Sequence, residues 1–158
     1  LNDASQGAKP LASGKLHFEW SVPWAAGTLR AECKAGGTAS ATMKTAGAAA
    51  KLALSADRAT IRADGKDMVF ITADLQDASG VFVPSGNANI SWSVTGSGTL
   101  VGLDNGDPTD TTSYKGQSRK AFNGKALAMV RATKTAGTIT IRATASGLSS
   151  DPVTVTAQ

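Results

Sequence analysis

Apolar and polar residues alternate along most of the chain. The clearest segments are residues 16–22, 68–75, 90–94, 139–143 and 153–155. Successive side chains of a β-strand point to opposite faces of a sheet, so this period predicts strands with one buried and one solvated face. The longest segment is predicted to place Met68, Phe70, Thr72 and Asp74 on one face and Val69, Ile71, Ala73 and Leu75 on the other. Trp92 is predicted to face inward.

Short glycine-containing turn signals separate these segments. They read AAG, AGG, DASG, TGSG, FNG, TAG and SGLSS, and no block of helical periodicity lies between them. Glutamate, a good helix former, occurs only at Glu19 and Glu32. Many short strands joined by glycine turns predict an all-β fold, an immunoglobulin-like β-sandwich.

Two parts of the chain follow the same plan. Residues 25–45 and 135–157 each contain Gly-Thr, an alternating strand, a glycine-containing turn and a final threonine-rich strand. If both are closing hairpins, residues 1–47 are the C-terminal part of a first sandwich without its opening strands, and residues 48–158 are a complete second one. Chance recurrence of Gly-Thr hairpins is the alternative. The chain opens without Met, so we expect a fragment of a longer protein.

Charge and composition exclude several classes of function. The 158 residues carry a net charge of +4, and the basic residues are scattered rather than clustered. We therefore expect no nucleic-acid partner. No apolar run is long enough to span a bilayer, so no membrane insertion is expected. Alternation places the single cysteine, Cys33, on the same face as Leu29 and Ala31, and it is predicted to be a buried, unreactive thiol.

Candidate catalytic groups are few. His17 is the only histidine and lies on a predicted outward face, where it is expected to be solvated, and no G-x-S-x-G nucleophile motif occurs. Glu19 and Glu32 stand in no recognisable motif and are predicted surface charges. We therefore predict no catalytic residue and no bound cofactor in this chain.

The polar stretch 104–124, DNGDPTDTTSYKGQSRKAFNG, is the most unusual segment. Asp104, Asp107 and Asp110 recur every third residue, which makes them candidate calcium ligands. An EF-hand is excluded, because Gly106 and Lys115 stand where it needs oxygen ligands. Turn capping by these carboxylates is the favoured interpretation, and a looser calcium site is the alternative.

Three aromatic residues fall in predicted turns. They are Trp24, Phe82 and Tyr114, and aromatic rings in turns commonly form platforms for sugar rings or contacts with a neighbouring domain. For Trp24, the interdomain contact is the favoured interpretation.

Two stretches resemble a known family. The segment LHFEWSVPWAAGTLRAECKAGG is similar to the W-V-P-Y-x-P-G-T-L-K-A segment of C-terminal Ig-like domains in family 2 glycoside hydrolases of the β-galactosidase type. The segment LVGLDNGDPTDTTSYKGQSRKAFNGKALAMVRAT resembles the most distinctive stretch of the following Ig-like domain. The resemblance covers nearly the whole chain and is more specific in the second half.

The resemblance implies a non-catalytic accessory region. In that family two glutamates about 5 Å apart act in a TIM barrel upstream, so the implied partner is the rest of the parent enzyme. Polysaccharide contact and self-association are further expectations, in a periplasmic or extracellular bacterial setting. The polar stretch is implied to be ordered, with Phe122 and Tyr114 packing it down. Residues 63–84 also resemble invasin-type repeats, which leaves a bacterial adhesin as one alternative. A carbohydrate-binding module, suggested by the aromatic residues in turns, is the other.

Overall fold

A computed structural model describes residues 1–10, 13–14, 16–33 and 39–158 of the chain. The described residues form twelve β-strands and no helix. The strands are β1 Thr28–Glu32, β2 Ser40–Lys44, β3 Lys51–Ala56, β4 Thr60–Ile61, β5 Met68–Gln76, β6 Asn89–Gly96, β7 Gly98–Asp104, β8 Ser118–Lys120, β9 Lys125–Ala132, β10 Gly137–Ala145, β11 Leu148–Ser149 and β12 Val153–Ala157. They fall into two compact units, Leu1–Thr45 and Ala46–Gln158.

The second unit is a β-sandwich of two sheets. One sheet has four antiparallel strands in the order β3-β5-β9-β7. The other has six strands, in the order β4-β12-β10-β6-β8 with β11 beside β10, and its β4–β12 pair is parallel. Buried residues from both sheets form a single core cluster. This arrangement confirms the predicted all-β, immunoglobulin-like sandwich.

Strand β5 shows how the sequence pattern places the core. Val69, Ile71, Ala73 and Leu75 are fully buried, while the alternate residues from Met68 to Gln76 are half-buried on the outer face. Trp92 of β6 is 5% exposed, so its predicted inward orientation is confirmed. The predicted alternation therefore assigns the two faces of this strand correctly.

The first unit contains one antiparallel hairpin among its described residues, β1 paired with β2. The AGG turn predicted at 35–37 lies outside the described residues. Cys33 is exposed, so the prediction of a buried thiol is wrong. The residue follows the end of β1, a strand in which every residue after Thr28 is exposed.

The strand predicted over 16–22 does not form. Leu16 is 97% exposed, and the backbone of this stretch pairs with no strand in the described part of the chain. Trp20 instead donates its Nε1–H to the Gly7 carbonyl oxygen at 3.2 Å. Alternation alone does not make a strand, because the extended backbone needs a neighbouring strand to satisfy its hydrogen bonds.

No helix long and apolar enough to cross a bilayer occurs in the described part of the chain.

Candidate functional site

The polar stretch 104–124 links the two sheets of the second unit. It leaves β7 on the four-stranded sheet, and its middle part forms β8 at the edge of the six-stranded sheet, where Arg119 lies opposite Ile90. It then returns to β9 on the first sheet. The backbone N–H of Leu103 donates to the Tyr114 carbonyl oxygen at 2.8 Å, so the loop also covers part of the edge strand β7.

The three candidate calcium ligands cap turns of this loop. Asp104 Oδ1 accepts hydrogen bonds from the backbone N–H groups of Asn105 at 2.7 Å and Gly106 at 3.1 Å. Asp107 Oδ1 accepts from the backbone and hydroxyl of Thr109, and Asp110 Oδ1 accepts likewise from Thr112. Across the described ranges, no group of three or more His, Cys, Asp or Glu side chains is placed to hold a metal ion.

A buried arginine holds the loop together. The Arg119 side chain is 2% exposed, and its NH1 donates to the carbonyl oxygens of Thr112 at 3.2 Å and Ser113 at 3.3 Å. Its NH2 forms an ion pair with Asp110 Oδ2 at 3.1 Å, and its Cζ lies 4.7 Å from the centre of the Tyr114 ring. A single side chain thus ties β8 to four residues of the loop.

The Asp110 carboxylate is stabilised from several sides. Hydrogen bonds from the Thr112 hydroxyl and backbone lower its pKa, the Asn105 amide and Arg119 add to this effect, and desolvation opposes it. A glycosidic general acid needs a raised pKa so that it carries a proton near neutral pH. Asp110 has the opposite property and suits a structural role.

The FNG sequence at 122–124 forms a two-residue hairpin turn. Phe122 and Lys125 exchange backbone hydrogen bonds of 2.9 and 3.0 Å, and both central residues have positive φ, 49° at Asn123 and 77° at Gly124. Asn-Gly is the preferred sequence for such a type I′ turn. The Gly124 N–H donates to the Gly86 carbonyl, and its carbonyl accepts from the Leu75 N–H. The turn is therefore fixed to β5 and to the segment before β6.

The loop's aromatic residues are more exposed than expected. Tyr114 is 55% exposed and Phe122 is 36% exposed, so packing of these two rings does not anchor the loop in the way expected. The anchor is Arg119, which sequence reasoning missed. The available signal was its position in the short SRK segment, where alternation with Ser118 and Lys120 leaves one inward-facing charged side chain.

An open groove of about 700 Å³ lies between residues 84–89 and the loop. Its lining is mostly polar and includes Asn87, Asn105, Lys120 and two carboxylates, Asp107 and Asp110. Both carboxylates accept hydrogen bonds from their own turns. The groove therefore presents hydrogen-bonding groups without an evident acid–base pair.

None of the other residues singled out from the sequence belongs to this loop. Trp24 of the first unit is 83% exposed, while Phe82 is half-buried, with the Lys125 Nζ 4.6 Å from its ring centre. His17 and Glu19 are exposed and contact each other at 3.0 Å. Glu32 pairs with Arg30 at 2.6 Å, and its side chain is 46% exposed. The glutamates are surface charges, as predicted.

The fold and the loop define an immunoglobulin-like β-sandwich domain. The connection between its two sheets is held by hydrogen bonds within the loop and by Arg119. Residues 52–154 match the family model of the glycoside hydrolase family 2 C-terminal domain 5. The chain therefore belongs to this family, which confirms the resemblance found in the sequence.

Relatives place the match within much longer proteins. The chain is 32% identical over 150 residues to the beta-galactosidase BoGH2A of Bacteroides ovatus, covering 94% of this chain and 18% of that protein. A glycosyl hydrolase family 2 member from Bacteroides cellulosilyticus is 35% identical, with a TM-score of 0.80 over 88% of this chain and 18% of its own. A beta-glycosidase from Bacteroides vulgatus is 25% identical, with a TM-score of 0.84 over 99% of this chain and 20% of its own. The chain thus spans about a fifth of the length of each of these relatives.

Proposed function

We propose that this chain is a non-catalytic C-terminal accessory region of a β-galactosidase-like glycoside hydrolase. Its work is to support and space the catalytic part of the parent enzyme. The observation that carries this proposal is that the carboxylates of loop 104–124 are engaged in hydrogen bonds within the loop itself. Asp104, Asp107 and Asp110 all accept hydrogen bonds within the loop, and the buried Arg119 forms an ion pair with Asp110. The family match and the lengths of the relatives support the same conclusion.

The second unit has the construction of a rigid spacer. Its core draws on both sheets, and the loop bridges them from β7 to β8. Residues 48–158 are proposed to be one complete domain on this basis. A close-packed sandwich of this kind resists deformation, which suits an element that holds other domains at a fixed spacing.

Catalysis is assigned to another part of the parent. Retaining glycosidases need a carboxylic acid with a raised pKa beside a carboxylate nucleophile, about 5 Å apart. In the loop, Asp110 has a lowered pKa, and Glu19 and Glu32 of the first unit are exposed surface charges. The parent's catalytic glutamates are therefore proposed to lie in a TIM barrel, and the catalytic and other β-sandwich domains are this chain's partners.

Carbohydrate contact is the second candidate function, and one observation favours it. Trp24 is 83% exposed in the first unit and Tyr114 is 55% exposed in the second, so two aromatic rings are open to a sugar. Stacking of a sugar on an aromatic ring buries apolar surface on both partners. The same exposure of Trp24 suits an interdomain contact.

The isolated chain is expected neither to cleave nor to bind sugars. Incubation with a chromogenic β-galactoside should release no chromophore above the rate of buffer alone. Titration with galactosides and galactose-containing polysaccharides to millimolar concentration should leave tryptophan fluorescence unchanged, because an interdomain contact is the favoured interpretation of the exposed Trp24 ring. The matched control is Trp24→Ala, which removes the most exposed of the three tryptophan rings and keeps Trp20 and the buried Trp92.

Two results would contradict this expectation in different ways. Chromophore release by the isolated chain would refute its non-catalytic role. A saturable fluorescence change that disappears in Trp24→Ala would leave catalysis aside and establish a carbohydrate-binding function. An adhesin would be distinguished by the rest of its polypeptide, since a string of similar Ig-like repeats replaces the catalytic barrel there.

A further inference from the structure

A buried carboxylate follows strand β5. Asp77 is 7% exposed, and none of the ion pairs formed by the described residues includes it. Its oxygens instead accept three backbone hydrogen bonds of 2.9 Å each, Oδ1 from the N–H groups of Ser79 and Val81 and Oδ2 from that of Gly47. These bonds, that from Gly47 foremost, lower the pKa of Asp77 against the opposing effect of desolvation. The group is therefore an ionised acceptor at neutral pH.

The two oxygens hold different parts of the second unit. Oδ1 closes the turn after β5, where the Asp77 N–H also donates to the Val81 carbonyl oxygen at 2.9 Å. Gly47 lies 30 residues earlier in the chain, in the stretch 46–50 that leads into β3. A single carboxylate thus joins this entry stretch to the end of β5.

The connection between the two units has little free backbone. Thr45 ends the first unit, donates its N–H to the Gly27 carbonyl oxygen at 2.8 Å, and accepts from the Gly27 N–H at its hydroxyl oxygen. Gly47 is held by Asp77, and the side chain of Ala46 packs against the core of the second unit. Domain boundaries usually fall in exposed, flexible segments with few contacts. This boundary is anchored on both sides of one residue.

We propose that Asp77 is a latch that holds the entry stretch 46–50 and leaves only Ala46 free to flex between the two units. Without the latch, the first backbone hydrogen bond of the stretch is the one from the Ala50 N–H to the Gln76 carbonyl oxygen at 2.8 Å, so residues 46–49 become free. A hydrogen bond to an ionised acceptor is stronger than one between neutral groups, which suits a latch made of one bond. The use of this latch in spacing the catalytic part rests on the proposed function.

Asparagine at position 77 separates the latch from the turn. A carboxamide has one oxygen and one NH2 group, so it accepts hydrogen bonds on one side only. The turn offers two donors and the latch one, so the oxygen of Asp77→Asn should face Ser79 and Val81 and release Gly47. Amide exchange followed by NMR in the 158-residue chain should show Gly47 exchanging about tenfold faster or more, with Ser79 and Val81 still protected.

Two control variants and a protease complete this test. Asp151→Asn makes the same substitution at an exposed position of the second unit and should leave Gly47 exchange unchanged. Gly47→Ala keeps the N–H donor, and its Cβ would lie 3.6 Å from Asp77 Oδ2, an ordinary contact, so its amide should stay protected. Elastase, which cleaves after small residues, should cut within 46–50 faster in Asp77→Asn than in either control.

The unsubstituted chain provides a test that needs no variant. The Ala48 N–H donates no hydrogen bond in the described structure, so Gly47 should exchange at least about tenfold more slowly than Ala48 after correction for intrinsic rates. Equal protection of the two amides would overturn the proposal, and so would an unchanged Gly47 rate in Asp77→Asn. No readout uses hydrolysis or the parent enzyme, so failure of the proposed function would be seen separately.

Discussion

Replacing Arg119 with alanine is expected to lower the free energy of unfolding of the second unit by about 3–5 kcal/mol, the usual cost of removing one partner from a buried ion pair. The substitution takes away the donors to the Thr112 and Ser113 carbonyls and leaves Asp110 without its cation. It also leaves a cavity beneath the loop, because the Arg119 side chain is 2% exposed.

Urea denaturation followed by far-UV circular dichroism measures this loss, and hydrogen exchange locates it. Exchange of the backbone amides over 105–117 should rise first, since the loop loses its anchor. Lys120→Ala is the matched control, because Lys120 lies next to Arg119 on β8 and is exposed. Its effect should stay within about 0.5 kcal/mol. If the two variants unfold at the same urea concentration, Arg119 does not hold the loop.

Gly124→Ala is expected to cost about 2–4 kcal/mol, at the upper end of single-substitution effects, because strain and steric clash add. Gly124 has a φ of 77°, in the left-handed region that L-residues adopt reluctantly. A Cβ at this position would come within 2.3 Å of the Val83 carbonyl oxygen and within 3.0 Å of the Phe82 ring. Since the clash involves backbone, relief requires movement of the segment between β5 and β6.

Gly106→Ala, in the same loop, separates the destabilisation caused by backbone strain from that caused by steric clash. Gly106 has a φ of 74°, close to that of Gly124, yet a Cβ there meets no atom within 4 Å. The control should therefore show only the conformational term, ~1 kcal/mol. Thermal unfolding of the two variants side by side makes the comparison. Similar losses in both would show that close packing around the FNG turn contributes nothing.

The sandwich could be predicted where alternating residues belong to a strand with neighbours on both sides. Strand β5 pairs with β3 and β9, so its even and odd positions fall on the outer and inner faces as the pattern indicates. The segment 16–22 has an equally clear pattern and no neighbouring strand among the described residues, and it remains unpaired. The exposure of Cys33 has a related cause, because the apolar face of its hairpin is uncovered.

The interactions that hold loop 104–124 could be predicted only in part. Turn capping by Asp104, Asp107 and Asp110 was the favoured interpretation, and the loop's geometry supports it, because local Asp-Asn-Gly chemistry acts over two or three residues. The role of Arg119 depends on contacts six to nine residues away and on a strand of three residues, too short for its alternation to be recognised among the surrounding polar residues. Charged residues are seldom buried, so composition alone argued against such an anchor.

Under the proposed function, this chain supports a glycoside hydrolase mechanically and takes no part in its chemistry. The most direct measurement compares the full-length parent with the same protein lacking residues 46–158, by melting temperature and by turnover of a β-galactoside. The expected result is a lower melting temperature and a kcat within about twofold of the full-length value at a temperature where both are folded. A fall in kcat of about a hundredfold or more in a folded, truncated enzyme would contradict the claim, since loss on that scale indicates a missing transition-state contact.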